Sequence, residues 1–311
     1  MALSLPFLFL LSCLLATFFT PLSMALAVKV RAIDLPDGRR KLHASPTPRL
    51  GGVAVFLAVA TVALFLLPSS PMKSAWLTGG ALLCALGVSD DVFALSPRLK
   101  LFAMSAILLL PVCFGLAPKG LALGPLFFSL PPFFGGLLAF FWTLTLVNAF
   151  NLMDGLDGLA SVQGMIASLF LALSGASAAA LLCGALTGFL PYNRSGISLW
   201  RHHGRLPTRS FLGDTVALFV GYTLAVLSLE KNEIVSLFLP LLFLLPLYEV
   251  ASSVFRRLRK GKSPFSADRD HLHHRLLRDG HSAATAVLLL SLYALLFGAL
   301  FFFAETVAPL L

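Results

Sequence analysis

Ten apolar segments follow one another along the chain, at 3–28, 51–67, 72–89, 101–117, 133–150, 159–174, 176–191, 211–229, 235–252 and 285–304. A helix that crosses a bilayer needs roughly 20 apolar residues, fewer where other helices surround it. Of the 311 residues 58% are apolar and only 12% are charged, and the mean hydropathy is +0.90. Those values exclude a soluble domain, a disordered chain and a collagen-like repeat. The many Phe, Gly and Pro suit helices packed in lipid, where neighbours satisfy the backbone groups that a kink sets free. The expectation is therefore an all-α polytopic membrane protein of about ten transmembrane helices. No hydrophilic stretch is long enough for a second domain, so residues 1–311 are expected to form a single membrane-embedded domain.

An even number of spans puts both termini on one side and gathers alternate loops on the other. Those loops, 29–50, 90–100, 151–158, 192–210 with Gly213-Asp214, and 253–284, hold 20 of the 23 Lys and Arg. The exceptions are Lys73, Lys119 and Lys231. The positive-inside rule makes these loops cytoplasmic and both termini external. All ten Asp and all seven His fall with them. A transport path would place ionisable groups at mid-membrane, and of the acids only Glu249 is assigned there. The polar chemistry thus predicts an active site on the cytoplasmic face. The first segment contains no Lys or Arg before Lys29, so it reads as a retained helix despite Ala25-Leu26-Ala27, which resembles a cleavage site. Cys13, Cys84, Cys113 and Cys183 lie in apolar runs without metal-ligand spacing and read as small hydrophobes.

Each polar loop carries a distinct pattern. Asp90-Asp91 are adjacent carboxylates whose repulsion a cation or a proton would offset, and such oxygen ligands suit Mg²⁺ or Mn²⁺, although the pair equally suits a solvated helix end. Lys100 offers a point charge for phosphate. Asn148, Asn151, Asp154 and Asp157 recur every three residues, a spacing that draws one drifting stripe on a helix. Helix capping accounts for one or two of the four, not for all. Asp214 precedes an apolar run, where N-capping is the plain alternative. The last loop carries Arg256, Arg257, Arg259 and Lys260, then Ser263-Pro264-Phe265-Ser266-Ala267-Asp268-Arg269-Asp270-His271-Leu272-His273-His274-Arg275. The basic run alone suits anionic lipid headgroups, whereas imidazoles among arginines suit phosphate better than zinc. Lys41, His43 and Pro48-Arg49-Leu50-Gly51-Gly52 add phosphate-binding charge in the first loop.

Spaced acids for a divalent ion and Lys, Arg and His for phosphates describe phosphoryl transfer at a membrane surface. In these motifs and their order the chain resembles the polyprenyl-phosphate N-acetylhexosamine-1-phosphate transferases, most closely the branch that uses undecaprenyl phosphate and GlcNAc 1-phosphate. It departs where many bacterial members read Gly-Asp-x-Gly-Ser and this chain has Gly213-Asp214-Thr215-Val216-Ala217.

The resemblance implies that a lipid-carrier phosphate, undecaprenyl phosphate, attacks the β-phosphorus of a UDP-N-acetylhexosamine in a bacterial inner membrane and releases UMP. It implies Asn151 and Asp214 as ligands of Mg²⁺, with Mn²⁺ an alternative, and Asp90, Asp91, Lys100, Asp154 and Asp157 as catalytic residues. Lys41, His43, Asn148, His271, His273 and Arg275 are the implied substrate-binding residues. UDP-GlcNAc is expected to be preferred over UDP-MurNAc-pentapeptide. Membrane lipids are the other expected partners, nucleic acid is not one, and a homodimer stays open. A lipid-phosphate transporter and a non-catalytic scaffold are the competing readings: the first predicts ionisable groups along a crossing path, and the second leaves the acid stripe unexplained.

Overall fold

A computed structural model describes residues 4–34, 47–194, 209–230, 234–263 and 270–307. In chain order the elements are α1 (Leu5–Lys29), β1 (Ile33–Asp34), β2 (Thr47–Pro48), α2 (Val53–Leu66), α3 (Pro71–Phe93) and α4 (Pro97–Cys113). There follow β3 (Gly120–Leu123), β4 (Leu126–Ser129), α5 (Pro132–Met153), α6 (Leu159–Leu173), α7 (Ala179–Asn193) and α8 (Asp214–Glu230). The chain continues with β5 (Ile234–Ser236), α9 (Leu239–Leu242), α10 (Leu244–Arg259), α11 (Leu272–Arg278) and α12 (Ala283–Val307). Helices dominate, as composition requires. α1, α3, α5 and residues 283–306 of α12 are long and apolar enough to cross a membrane, while α2, α6 and α7 are apolar but shorter. The chain is a membrane protein.

α8 is apolar all round and buried almost from end to end, as a helix enclosed by other helices should be. It packs on α3 and α5 chiefly, and α1, α2, α6 and α7 complete the bundle. Without a hydrophobic driving force between them, helices in a membrane gain from close approach at small residues. Gly221 illustrates this: a Cβ there would lie 2.5 Å from the Leu146 carbonyl oxygen of α5. Polar side chains tie the same core, with Trp76 Nε1 donating to Thr223 Oγ1 at 3.1 Å and the Tyr222 hydroxyl to the Ala75 carbonyl at 3.0 Å.

Two features depart from the all-α expectation of continuous spans. A three-stranded sheet of order β4-β3-β5 links the α4–α5 connection to the segment after α8, with β3 antiparallel to β4 and parallel to β5. Its hairpin turns at Gly124, whose φ of +56° precedes Pro125, the Gly-first turn that suits a two-residue hairpin. Residues 235–252, expected as one span, instead supply a strand, the single turn of α9 and a break at Phe243 before α10. Pro246 has no N–H to return to the Leu242 carbonyl, so the helical hydrogen-bond ladder is interrupted at this break. The sheet lies at the far ends of α4, α5 and α8 from Lys100, Asp154 and Asp214, because each helix separates its two termini by roughly 25–33 Å at 1.5 Å per residue.

Candidate active site

The C-terminal ends of α3 and α5 and the N-terminal end of α8 meet at one cavity of about 740 Å³, within the range of small-molecule sites. Asp34, Asp90, Asp91, Asp154, Asp157 and Asp214 line it together with Arg49, Arg209 and His274. Behind two of these carboxylates the Lys100 ammonium donates to Asp90 Oδ2 at 2.9 Å, to Asn151 Oδ1 at 3.5 Å and to Asp214. Asn151 Nδ2 in turn donates to Asp214 Oδ1 at 2.8 Å. Asp91 Oδ2 accepts from the hydroxyl of Thr215 at 3.0 Å and from its N–H at 3.4 Å. Residues from three separate motifs thus share one hydrogen-bonded cluster.

Among the described residues, carboxylates outnumber cations at this site. Arg49 pairs with Asp34 and Arg209 with Asp157, while Lys100 is shared between Asp90 and Asp214. Asp91 and Asp154 are left without an ion pair among the described residues. Burial, with Asp214, Asp91 and Asp157 nearby, pushes the Asp154 carboxyl up to about 8. An added cation would reverse that shift. Among the described residues no three His, Cys, Asp or Glu side chains form a ready-made metal cage. The donor chemistry nevertheless fits a hard divalent ion: Asp90, Asn151 and Asp214 offer only oxygen toward the point where the Lys100 ammonium sits. Mg²⁺ generally takes one or two carboxylates and completes its shell with water and substrate phosphate.

The expected helical stripe is only half realised. Asn148 and Asn151 lie on α5, but the helix ends at Met153, Asp154 caps it and Asp157 sits in the turn before Gly158. That turn folds Asp154 and Asp157 into the cavity. Asn148 bonds its own helix, its Nδ2 donating to the Leu144 carbonyl at 2.7 Å, and does not line the cavity. Asn193 at the end of α7 secures the turn: its Oδ1 accepts from Gly158 N at 3.0 Å and from the Ser161 hydroxyl at 2.8 Å.

The histidine motif is also placed differently from expectation. His271 and His273 are 5% and 1% exposed and sit behind the cavity wall, whereas His274 lines the cavity. Burial holds the His273 imidazole down at about 4, so the ring is neutral near pH 7. Arg275 turns to Asp270, at 3.0 Å, which Arg278 also pairs with. Glu249, the acid assigned to the membrane, is buried and faces His271 at 3.2 Å. Lys41 and His43 lie outside the described residues. Asp34, Asn193, Arg209, Thr215 and Glu249 take part without being expected there, and Arg49, expected only as phosphate-binding charge in the first loop, lines the cavity. Only Arg49, inside Pro-Arg-x-Gly-Gly, and Thr215, beside Asp214, stood in motifs that could have signalled them.

Residues 74–232 match the family model described as glycosyl transferase family 4. A probable undecaprenyl-phosphate N-acetylglucosaminyl 1-phosphate transferase of Bacillus subtilis is 32% identical, over 93% of this chain and 82% of the relative. The undecaprenyl-phosphate alpha-N-acetylglucosaminyl 1-phosphate transferase of Salmonella typhi is 30% identical over 90% of this chain and 78% of its own length. The protein of the same description in Escherichia coli K12 is 29% identical over 94% and 82%. The matched segment runs from α3 to just past α8 and includes Asp90, Asp91, Lys100, Asn151, Asp154, Asp157 and Asp214.

Proposed function

The chain belongs to glycosyl transferase family 4, and on that footing we propose that it transfers GlcNAc 1-phosphate from UDP-GlcNAc to undecaprenyl phosphate and releases UMP. The observation that carries this reading is the set of aspartates that line a cavity of about 740 Å³, two of them, Asp90 and Asp214, bridged by Lys100. An oxygen of the carrier phosphate attacks the β-phosphorus; the new P–O bond replaces the bond from that phosphorus to the bridging oxygen, which departs on UMP. The carrier phosphate has a second pKa near ~6 and is largely ionised at neutral pH, so a strong base is not needed. The obstacle is repulsion between anions.

Asp214 and Asn151 would hold Mg²⁺, with Asp90 beside them, and the ion when bound neutralises diphosphate charge and polarises the β-phosphorus. Lys100, released by the carboxylates it now bridges, holds a phosphate oxygen. Asp91, fixed by Thr215, orients the carrier phosphate. Arg49, Arg209 and His274 supply cationic or hydrogen-bonding contacts along the cavity for the sugar nucleotide. The site faces the cytoplasm of a bacterial inner membrane, where the basic loops lie, with ten crossings and both termini outside. Purified protein supplied with UDP-GlcNAc, undecaprenyl phosphate and Mg²⁺ should release UMP, lose that activity in EDTA and regain it with Mg²⁺ or Mn²⁺. Full activity in chelator would overturn the metal assignment, and no UMP in any condition would overturn the reaction.

A further inference from the structure

Glu249 is 3% exposed in the middle of α10, and a buried carboxylate is costly unless both oxygens are bonded. Both are. Oε1 accepts the Leu272 N–H at 2.6 Å and Oε2 faces His271 Nδ1 at 3.2 Å. Leu272 is the first residue of α11 and His271 its N-cap, yet the His271 side chain makes no capping bond. The cap is supplied from another helix.

What lies beyond this contact gives it a role. The His271 ring stacks on His273, with centroids 5.7 Å apart and planes 11° from parallel, and His273 lies 4.2 Å from His274. His273 Nε2 presses on Gly155, where a Cβ would come within 2.2 Å, so the stack rests on the Asp154–Asp157 turn. Of the three rings only His274 lines the cavity. We propose that Glu249 is a positioning residue, which through His271 and His273 sets His274 against the catalytic cavity. This role rests on the cavity being a sugar-nucleotide site. Glu249 also fixes the His271 proton, because a carboxylate can only accept, so Nδ1 carries the hydrogen.

Kinetics of Glu249→Ala, Glu249→Gln, His274→Ala and the double variant E249A/H274A test the proposal, with ¹⁵N-histidine NMR as a second readout. Glu249→Ala should raise KM for UDP-GlcNAc at least about tenfold, the scale of one lost charge-assisted hydrogen bond, and leave KM for undecaprenyl phosphate within about twofold. The double variant should be no worse than His274→Ala alone, since both act through one contact. If Glu249→Ala does not fold, Glu249→Gln carries the test. Its amide oxygen still accepts from Leu272 and its NH₂ donates to His271, so the proton should move to Nε2 and donor KM should rise several-fold. Equal changes in both KM values, multiplying effects in the double variant, or an unprotonated Nδ1 in the wild type would overturn the proposal. The nitrogen signals need no turnover, so a wild type that releases no UMP counts against the reaction, and the brace is then decided by the tautomer.

Discussion

Asp91 differs from its neighbour Asp90 in how it is held, and the difference predicts how each will respond to substitution. Asp90 answers to Lys100, whereas Asp91 is held through one oxygen by the hydroxyl and N–H of Thr215. Asp91→Asn should lower turnover by at least ~10²-fold, the usual scale for a positioned acid–base or electrostatic group. Thr215→Val keeps the N–H contact and removes one hydrogen bond from a hydroxyl to the carboxylate, so it should cost less, about tenfold. UMP release by the two variants measures both, and equal losses would mean that Thr215 does more than orient. Asp154 makes a separate prediction about pH. Its folded-state pKa, about 8, lies above the ordinary ~3.9 of the unfolded chain, so the folded state holds the extra proton between these values. Stability of the metal-free protein should therefore fall as pH rises from 5 to 8 and level off above. Melting in EDTA across that range should show the decline, Asp154→Asn should flatten it, and Mg²⁺ should reduce it. A melting temperature in EDTA indifferent to Asp154→Asn would sink the assignment.

Between elements, the site depends on how closely α3 approaches α8. A Cβ on Gly87 would lie 2.3 Å from Thr215 Cα and 2.5 Å from its N, backbone atoms that cannot swing aside. Gly87→Ala must therefore part the two helices that carry Asp90, Asp91 and Asp214, and such overpacking costs about 1–3 kcal/mol. Melting temperature and UMP release should both drop. Gly136→Ala meets only the Val112 side chain, at 3.2 Å, and should change little. The helices themselves were legible in the sequence, because apolar runs broken by Pro, Gly and charge recur at bilayer length. So were the polar loops that carry Asp90, Lys100, Asn151 and Asp214. What the sequence did not reveal is pairing across distance: Thr215 lies 124 positions from Asp91, and Arg209 lies 52 from Asp157. The break at Phe243 was hidden for a different reason, since hydropathy averages over Pro240 and Pro246. His271 and His273 read as substrate-binding residues in the motif, but both are buried and His274 lines the cavity.

At the scale of the whole molecule, charge and architecture separate along the same axis. Asp90, Lys100, Asp154 and Asp214 sit at one end of α3, α4, α5 and α8, with the basic end of α10 following on the loops of the same side. The β4-β3-β5 sheet occupies the other end, and its strand β4 exposes Leu126, Phe127 and Phe128. A membrane imposes this division: Lys and Arg are retained on the cytoplasmic side, and irregular or sheet structure is tolerated only outside the hydrocarbon or within protein. The proposed orientation then makes a prediction independent of catalysis. In a chain freed of its exposed Cys113 by Cys113→Ala, Leu126→Cys should react with a membrane-impermeant maleimide in intact cells. Ser263→Cys, after the basic run of α10, should react only once the membrane is permeabilised. Labelling of both sites in intact cells would overturn the proposed division, and the reverse pattern would invert the topology; either removes the cavity from the side where nucleotide sugars are made. A correct pattern with no UMP release would instead leave the architecture standing and place the fault in the chemistry assigned to the site.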